Sequence, residues 1–152
     1  MGYGDRAVAL FKQGYNCSQS VFCAFCDVTG MPMEEALRLS SSFGGGIGRL
    51  RETCGAFSGL CMAAGLLYGY ADPIDQKLKR AHYARIQEMG KEFKAVFSTL
   101  TCRDILKNPD SSPNPTPRTA EFYEKRPCAK CIWTAADILE RYMLSHPLPE
   151  KK

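Results

Sequence analysis

Apolar residues along this chain recur mostly at intervals of three or four, and no run of alternating β-branched residues marks a strand. The pattern predicts a short helix over 5–13 closed by Gly14. A second begins after Asn16 and runs to about Val28, where Thr29-Gly30 stops it. A third opens with Pro32 in its first turn, carries Glu34 and Glu35 where the helix dipole favours negative charge, and ends near Ser42. The loop Phe43-Gly44-Gly45-Gly46-Ile47-Gly48 follows, and its glycines can take backbone angles closed to other residues.

The helix expected from Thr53 carries no charge between Cys54 and Tyr70. The longest helix fits 74–99. Its Leu78, Ile86, Met89, Phe93 and Val96, continued by Leu100, form a face about the width of a bundle seam. A brief helix fits 102–106. Pro109, Pro113, Pro115 and Pro117, among Asp, Ser and Asn, make 107–127 a polar loop without regular structure. The last helix fits 129–144, with Ile132, Ala135, Ala136, Leu139 and Tyr142 or Met143 inward, before a tail over 146–152.

The expected fold class is all-α. It is a single-domain bundle of four or five main helices spanning 1–152, with a Gly-rich and a Pro-rich loop. A chain of 152 residues can bury a core without disulfide staples. The uncharged stretch 54–70 is slightly short for a membrane span. It lies close to Arg51, Glu52 and Asp72 and holds four glycines, so a buried central helix is expected and no membrane span.

Composition (45% hydrophobic, 24% charged) is that of a soluble globular protein. The net charge of +4 is spread without a basic block, which argues against nucleic-acid binding. Met1-Gly2-Tyr3-Gly4-Asp5 lacks the basic head and apolar run of a secretory signal, so a cytoplasmic location is expected. There thiols stay reduced, and eight cysteines read as metal ligands or redox groups before structural bridges.

Four of the eight fall where helices should begin. Asn16-Cys17, Thr53-Cys54 and Thr101-Cys102 each join a capping side chain to a thiol, and Cys128 follows Pro127, which suits a first helical turn. Unpaired N–H groups and the positive end of the dipole favour thiolate at such positions. The dipole contributes only about 0.3–1 kcal/mol, less than one pKa unit, whereas a bound metal deprotonates a thiol outright. Cys17, Cys54, Cys102 and Cys128 are therefore candidate metal ligands. Four thiolates suit a [2Fe–2S] or [4Fe–4S] cluster or a tetrahedral zinc.

Cys23, Cys26 and Cys61 fall inside helices and read as core filling, with a strained local disulfide between Cys23 and Cys26 as an alternative. Cys128-Ala-Lys-Cys131 is a C-x-x-C at a helix start, without the βαβ context of thioredoxin-like exchange. If the chemistry is thiol–disulfide exchange, Cys54, Cys128 and Cys131 are its candidates. Gly55, Gly59 and Ala63 strip one side of the central helix of bulk, so a helix or a cofactor can lie against its backbone. Gly44, Gly45, Gly46 and Gly48 offer a nest of N–H groups for anionic sulfur or phosphate. His82 reads as a core imidazole of the long helix, and His146 lies in the tail; neither is a catalytic candidate.

Taken in order, Gly14-Tyr15-Asn16-Cys17-Ser18-Gln19-Ser20-Val21, Gly44-Gly45-Gly46-Ile47-Gly48, Thr53-Cys54-Gly55-Ala56-Phe57-Ser58-Gly59, Thr101-Cys102-Arg103 and the Cys128 helix form a pattern. It resembles the C_GCAxxG_C_C family, small prokaryotic proteins described as redox-active, from about Tyr3 to Tyr142. The resemblance implies that Cys17, Cys54, Cys102 and Cys128 are the four family cysteines, and it implies a redox role with cofactor and substrate open. Four additional cysteines and the long Pro-rich loop depart from the family pattern, and Cys131 competes with Cys128 as the fourth sulfur.

The expected function is a redox protein whose four cysteines bind an iron–sulfur cluster, [2Fe–2S] by preference, for electron transfer. A metal-free thiol–disulfide oxidoreductase and a zinc-stabilised helical module that binds a partner protein are the alternatives. The expected partner is a redox protein of unknown identity, and a homodimer is a possible assembly.

Overall fold

In the computed structural model, the described residues are 2–149; positions 150–152 of the expected tail, like residue 1, lie outside them. Among the described residues the fold is all-α, with nine helices: α1 (Tyr3–Lys12), α2 (Cys17–Ala24), α3 (Cys26–Thr29), α4 (Met33–Ser40), α5 (Gly55–Tyr68), α6 (Gln76–Phe97), α7 (Cys102–Leu106), α8 (Ala120–Lys125) and α9 (Cys128–Ser145). No described helix is long and apolar enough to cross a membrane.

The core lies where α1, α2, α5 and α9 pack on one another, with α4 against α2 and α6 against α9 and α5. Helix α5, uncharged along its length, buries Ala56, Phe57, Leu60, Ala63 and Ala64. Phe22, Leu60, Phe93, Ile132 and Leu139 are completely enclosed, and each contributes about 1.5–3 kcal/mol by burial. The α2–α5 contact is close enough to need a glycine: a Cβ on Gly59 would lie 2.7 Å from the Ser18 carbonyl oxygen and 3.0 Å from the Val21 Cβ.

Four local expectations are corrected. The helix expected to run from Asn16 to Val28 breaks at Phe25 (φ −100°, ψ 11°) into α2 and α3, and the Phe25 ring is buried, stacked 4.3 Å from that of Tyr3. The central helix starts at Gly55 because Thr53 pairs in an antiparallel bridge with Thr101. The loop expected over 107–127 contains α8: its prolines fall outside 118–126, Thr119 Oγ1 caps the Phe122 N–H, and Lys125 pairs with Glu121 at 2.7 Å. The apolar face expected along the long helix is fully buried only at Met89, Gly90 and Phe93. Leu78 and Val96 are about half exposed, at 51% and 48%.

Both histidines sit at the far side of α6 and α9. His82 is half-buried, with Nδ1 2.8 Å from Arg85 Nη1; burial and that cation push its pKa down. His146 stacks on Tyr142.

Candidate functional site

Five cysteines are carried to one place by main-chain devices. Asn16 caps α2 with a reciprocal box, its Oδ1 accepting from the Gln19 N–H and its own N–H donating to Gln19 Oε1, both 2.9 Å, so Cys17 opens the helix. The Cys54 N–H donates to Leu100 O at 2.7 Å and the Cys102 N–H to Glu52 O at 2.6 Å, around the Thr53–Thr101 bridge. Cys54 is thereby fixed as N-cap of α5 and Cys102 as first residue of α7. Cys128 opens α9, and Cys131 stands one turn further, 2% exposed.

Glycine spaces this assembly. A Cβ on Gly44 would strike the Asn16 side chain, one on Gly46 would meet Cys102 Cβ at 2.8 Å, and one on Gly55 would strike Cys17 Sγ. The loop between α4 and α5 then turns left-handed. Gly45, Gly46, Ile47, Gly48 and Arg49 all have positive φ (66°, 74°, 68°, 53° and 65°), as does Arg51 at 63°. Hydrogen bonds from the Gly48 N–H to Ser42 O (2.7 Å) and from the Glu52 N–H to Gly46 O (2.9 Å) hold the turn. Each non-glycine residue there costs about 1–2 kcal/mol, and β-branched Ile47 is the most unusual occupant.

What the turn achieves is the placement of two arginines. Arg49 donates through Nε to Ser112 O (2.7 Å) and through Nη1 to Thr116 Oγ1 (2.9 Å), and it pairs with Asp110 at 3.3 Å. Arg51 donates through Nε to Asp110 O (2.9 Å), and its Nη1 lies 3.7 Å from Cys102 Sγ. From the other side Arg118 donates to Phe11 O (2.9 Å) and Tyr15 O (3.0 Å). The Pro-rich segment is thus strapped across the molecule by three guanidiniums.

Beneath the strap is a cavity of about 520 Å³. Cys17, Cys54, Cys102, Cys128 and Cys131 all line it, with Arg49, Arg51, Arg118 and Arg126, and among the described residues no aspartate, glutamate or histidine does. Burial dominates the thiols. It pushes Cys17 and Cys128 each up to about 12, reinforced at Cys17 by Cys54 and at Cys128 by Cys17 and Cys54. The Cys54 thiol is held well above its ordinary range, first by the Cys131 thiol acting as hydrogen-bond partner and then by burial. Cys102 is raised by burial against the pull of Arg51 and Arg126.

Opposing N–H groups are present, from Gly45 and Ser18 at Cys17 and from Ala56 and Phe57 at Cys54, though the latter two close no full capping bond. The advantage of a helix start is outweighed. In this state Cys17, Cys54, Cys102 and Cys128 are protonated thiols near neutral pH, and all eight cysteines are free.

The candidate residues separate by position. Gly44, Gly45, Gly48 and Gly55 form part of the cavity wall, whereas Gly46 backs Cys102 and Gly59 backs α2. Cys23, Cys26 and Cys61 lie outside it, packed against the core. As a donor set, five soft sulfurs with no carboxylate or imidazole among the described lining residues suit iron–sulfur or zinc binding. Among the described residues, however, no three His, Cys, Asp or Glu side chains stand close enough together to hold a metal ion. Sequence reasoning missed the arginines: Arg49 and Arg51 stand beside the glycine loop and Arg126 beside Cys128, while Arg118 carries no such signal.

The sequence profile of the family described as "Putative redox-active protein (C_GCAxxG_C_C)" matches residues 15–142. The chain belongs to the C_GCAxxG_C_C family. The five cavity cysteines of this family member, from Cys17 to Cys131, all lie within the matched region. An uncharacterised protein of Archaeoglobus fulgidus is 24% identical over 140 residues, covering 88% of this chain and 87% of that one. No solved structure matches the chain.

Proposed function

We propose that this C_GCAxxG_C_C protein is an electron-transfer protein whose Cys17, Cys54, Cys102 and Cys128 bind an iron–sulfur cluster, [2Fe–2S] by preference. The supporting observation is that sulfurs from α2, the start of α5, α7 and α9 line one cavity that contains no carboxylate or imidazole. Such a cluster supplies one-electron chemistry when bound. The chain's own groups then act on the sulfurs: N–H groups of Gly45 and Ser18 face Cys17, those of Ala56 and Phe57 face Cys54, and Arg51 faces Cys102. Each favours the more negative state and so raises the reduction potential. No three of these sulfurs stand close enough together for a metal among the described residues, so loading would require them to draw closer. The reading places the chain in a reducing compartment, the cytoplasm, with a redox protein as partner.

Anaerobic reconstitution with ferrous iron and sulfide tests this. Bound iron and sulfide in equal amounts, a visible charge-transfer spectrum, and loss of both on serine replacement of any of the four ligands are expected. Protein that stays colourless and iron-free would overturn it. Stoichiometric zinc without a redox signal would instead support a metal-stabilised partner-binding module.

A second reading is favoured by the Cys54–Cys131 thiol contact. In it, Cys54 or Cys128 attacks a disulfide substrate and Cys131 resolves the mixed disulfide, which oxidises two protein thiols and reduces the substrate to two thiols. Trapping of a mixed disulfide in Cys131→Ser would support it, and thiols that never oxidise as a pair would end it.

A further inference from the structure

Two of the four cavity arginines have their N–H groups engaged: Arg49 with Ser112, Thr116 and Asp110, and Arg118 with Phe11 and Tyr15. The other two keep donors to spare, although Arg51 gives Nε to Asp110 O (2.9 Å) and Nη1 to Cys102 Sγ (3.7 Å). Arg51 is only 3% exposed, and its buried Nη2 has no hydrogen-bond partner. Arg126 is half-buried; its guanidinium lies over the Phe122 ring at 5.1 Å and makes no hydrogen bond or ion pair among the described residues. A guanidinium cannot shed its proton to relieve that state, and a buried donor left unpaired is costly. Both cations line the same cavity, where Arg51 Nη1 lies 3.7 Å from Cys102 Sγ.

Part of the wall is apolar. Phe11, Ile105, Leu106, Pro113, Pro115 and Phe122 line the same space, whose volume falls in the range of roughly 300–1,000 Å³ typical of small-molecule sites. An oxidised four-thiolate [2Fe–2S] centre is a dianion, and Arg49 already faces Asp110. Of the remaining three arginines, one positive charge is left over for a ligand.

We propose that the cavity binds a small organic anion, its carboxylate, phosphate or sulfonate head held by Arg51 and Arg126 and its apolar body laid against the Phe11–Phe122 side. The binding stands independently of the reading above.

The test is calorimetric titration of the full chain, both cluster-free and reconstituted, with benzoate, with benzyl alcohol (the body without the charge) and with acetate (the charge without the body). Benzoate is expected to bind saturably, with each of the others at least about tenfold weaker. Arg126→Gln, a residue whose side chain holds no bond, is expected to fold with unchanged circular dichroism and to lose at least about tenfold in benzoate affinity. Exposed Lys130→Gln should lose none. Arg51→Gln gives a second measurement if it folds.

Absence of saturable benzoate binding in both forms, acetate or benzyl alcohol binding as tightly, or an unchanged affinity in Arg126→Gln would each overturn the proposal. Iron and sulfide measured on the same samples separate the two ideas. Benzoate binding without a cluster ends the electron-transfer reading alone, and a cluster without benzoate binding ends only this one.

Discussion

Cys17 Sγ fills the space that a side chain on Gly55 would need. The glycine of the C-G-A-x-x-G element is therefore a condition for where the first sulfur sits. Gly55→Ala is expected to drive Cys17 out of the cavity, since Phe43 O at 2.7 Å blocks any retreat of the new methyl on the other side. Overpacking of this kind costs about 1–3 kcal/mol, and iron loading should fall with it. The checks are denaturant unfolding and iron analysis on the same preparation; normal loading would show that Cys17 adjusts freely.

Gly59 and Gly65 lie on the same helix and should respond with opposite signs. A methyl at Gly59 meets the α2 main chain at Ser18 O, whereas one at Gly65 meets nothing within 4 Å. Gly59→Ala should destabilise by about 1–3 kcal/mol. Gly65→Ala should stabilise by about 0.5–1 kcal/mol through helix propensity. Urea midpoints of the two variants decide this, and equal shifts would refute the α2–α5 contact.

Ile47 holds positive φ with a branched Cβ at a site that is 39% exposed. Replacing it by glycine relieves about 1–2 kcal/mol of strain, offset in part by glycine's conformational entropy of about 0.5–1 kcal/mol. A net gain of about 0.5–1 kcal/mol in unfolding free energy is expected, and a loss would mean that the Ile47 side chain makes contacts worth more than its strain.

Arg49 fastens the Pro-rich strap through Ser112 O, Thr116 and Asp110. In Arg49→Ala the strap should lift while the helices remain. Limited proteolysis within 107–119 should quicken severalfold with little change in the helical circular dichroism signal. Unchanged cleavage would show that Arg51 and Arg118 suffice.

Thiol burial sets the sign of a pH effect. Cys17, Cys61 and Cys128 are each pushed up to about 12 by burial, against about 8.5 for an unfolded thiol. The folded form thus keeps protons that the unfolded form releases. This stabilisation is fully present below about pH 8.5 and is lost as pH rises toward 12. Reduced, metal-free protein should show urea midpoints falling above about pH 8.5, by on the order of 1 kcal/mol per pH unit at most for each buried thiol. Cys61→Ala, outside the cavity, should lessen the slope; a flat profile would contradict the burial of these thiols.

Helix type and order were legible wherever local chemistry decides them. The Asn16–Gln19 box, Gly30 at the end of α3, and the thiols at the starts of α2, α7 and α9 follow from side chains within a few residues of each other. The failures are tertiary. Thr53 looked like a cap but is taken by Thr101, so Cys54 itself became the N-cap. Helix α8 is flanked by prolines, and its Phe122 and Tyr123 pack on Phe11 from across the chain. The cysteine grouping was visible as a set. The placement of Arg49 and Arg51 depends on a left-handed turn whose Ile47, Arg49 and Arg51 no propensity would place there.

The pocket's sulfurs come from positions 17 through 131, and α9 supplies the last two. A chain emerging from the ribosome cannot complete this chamber until α9 has been synthesised. Whatever occupies the chamber must therefore arrive once α9 is in place, entering a folded bundle rather than templating an early fragment.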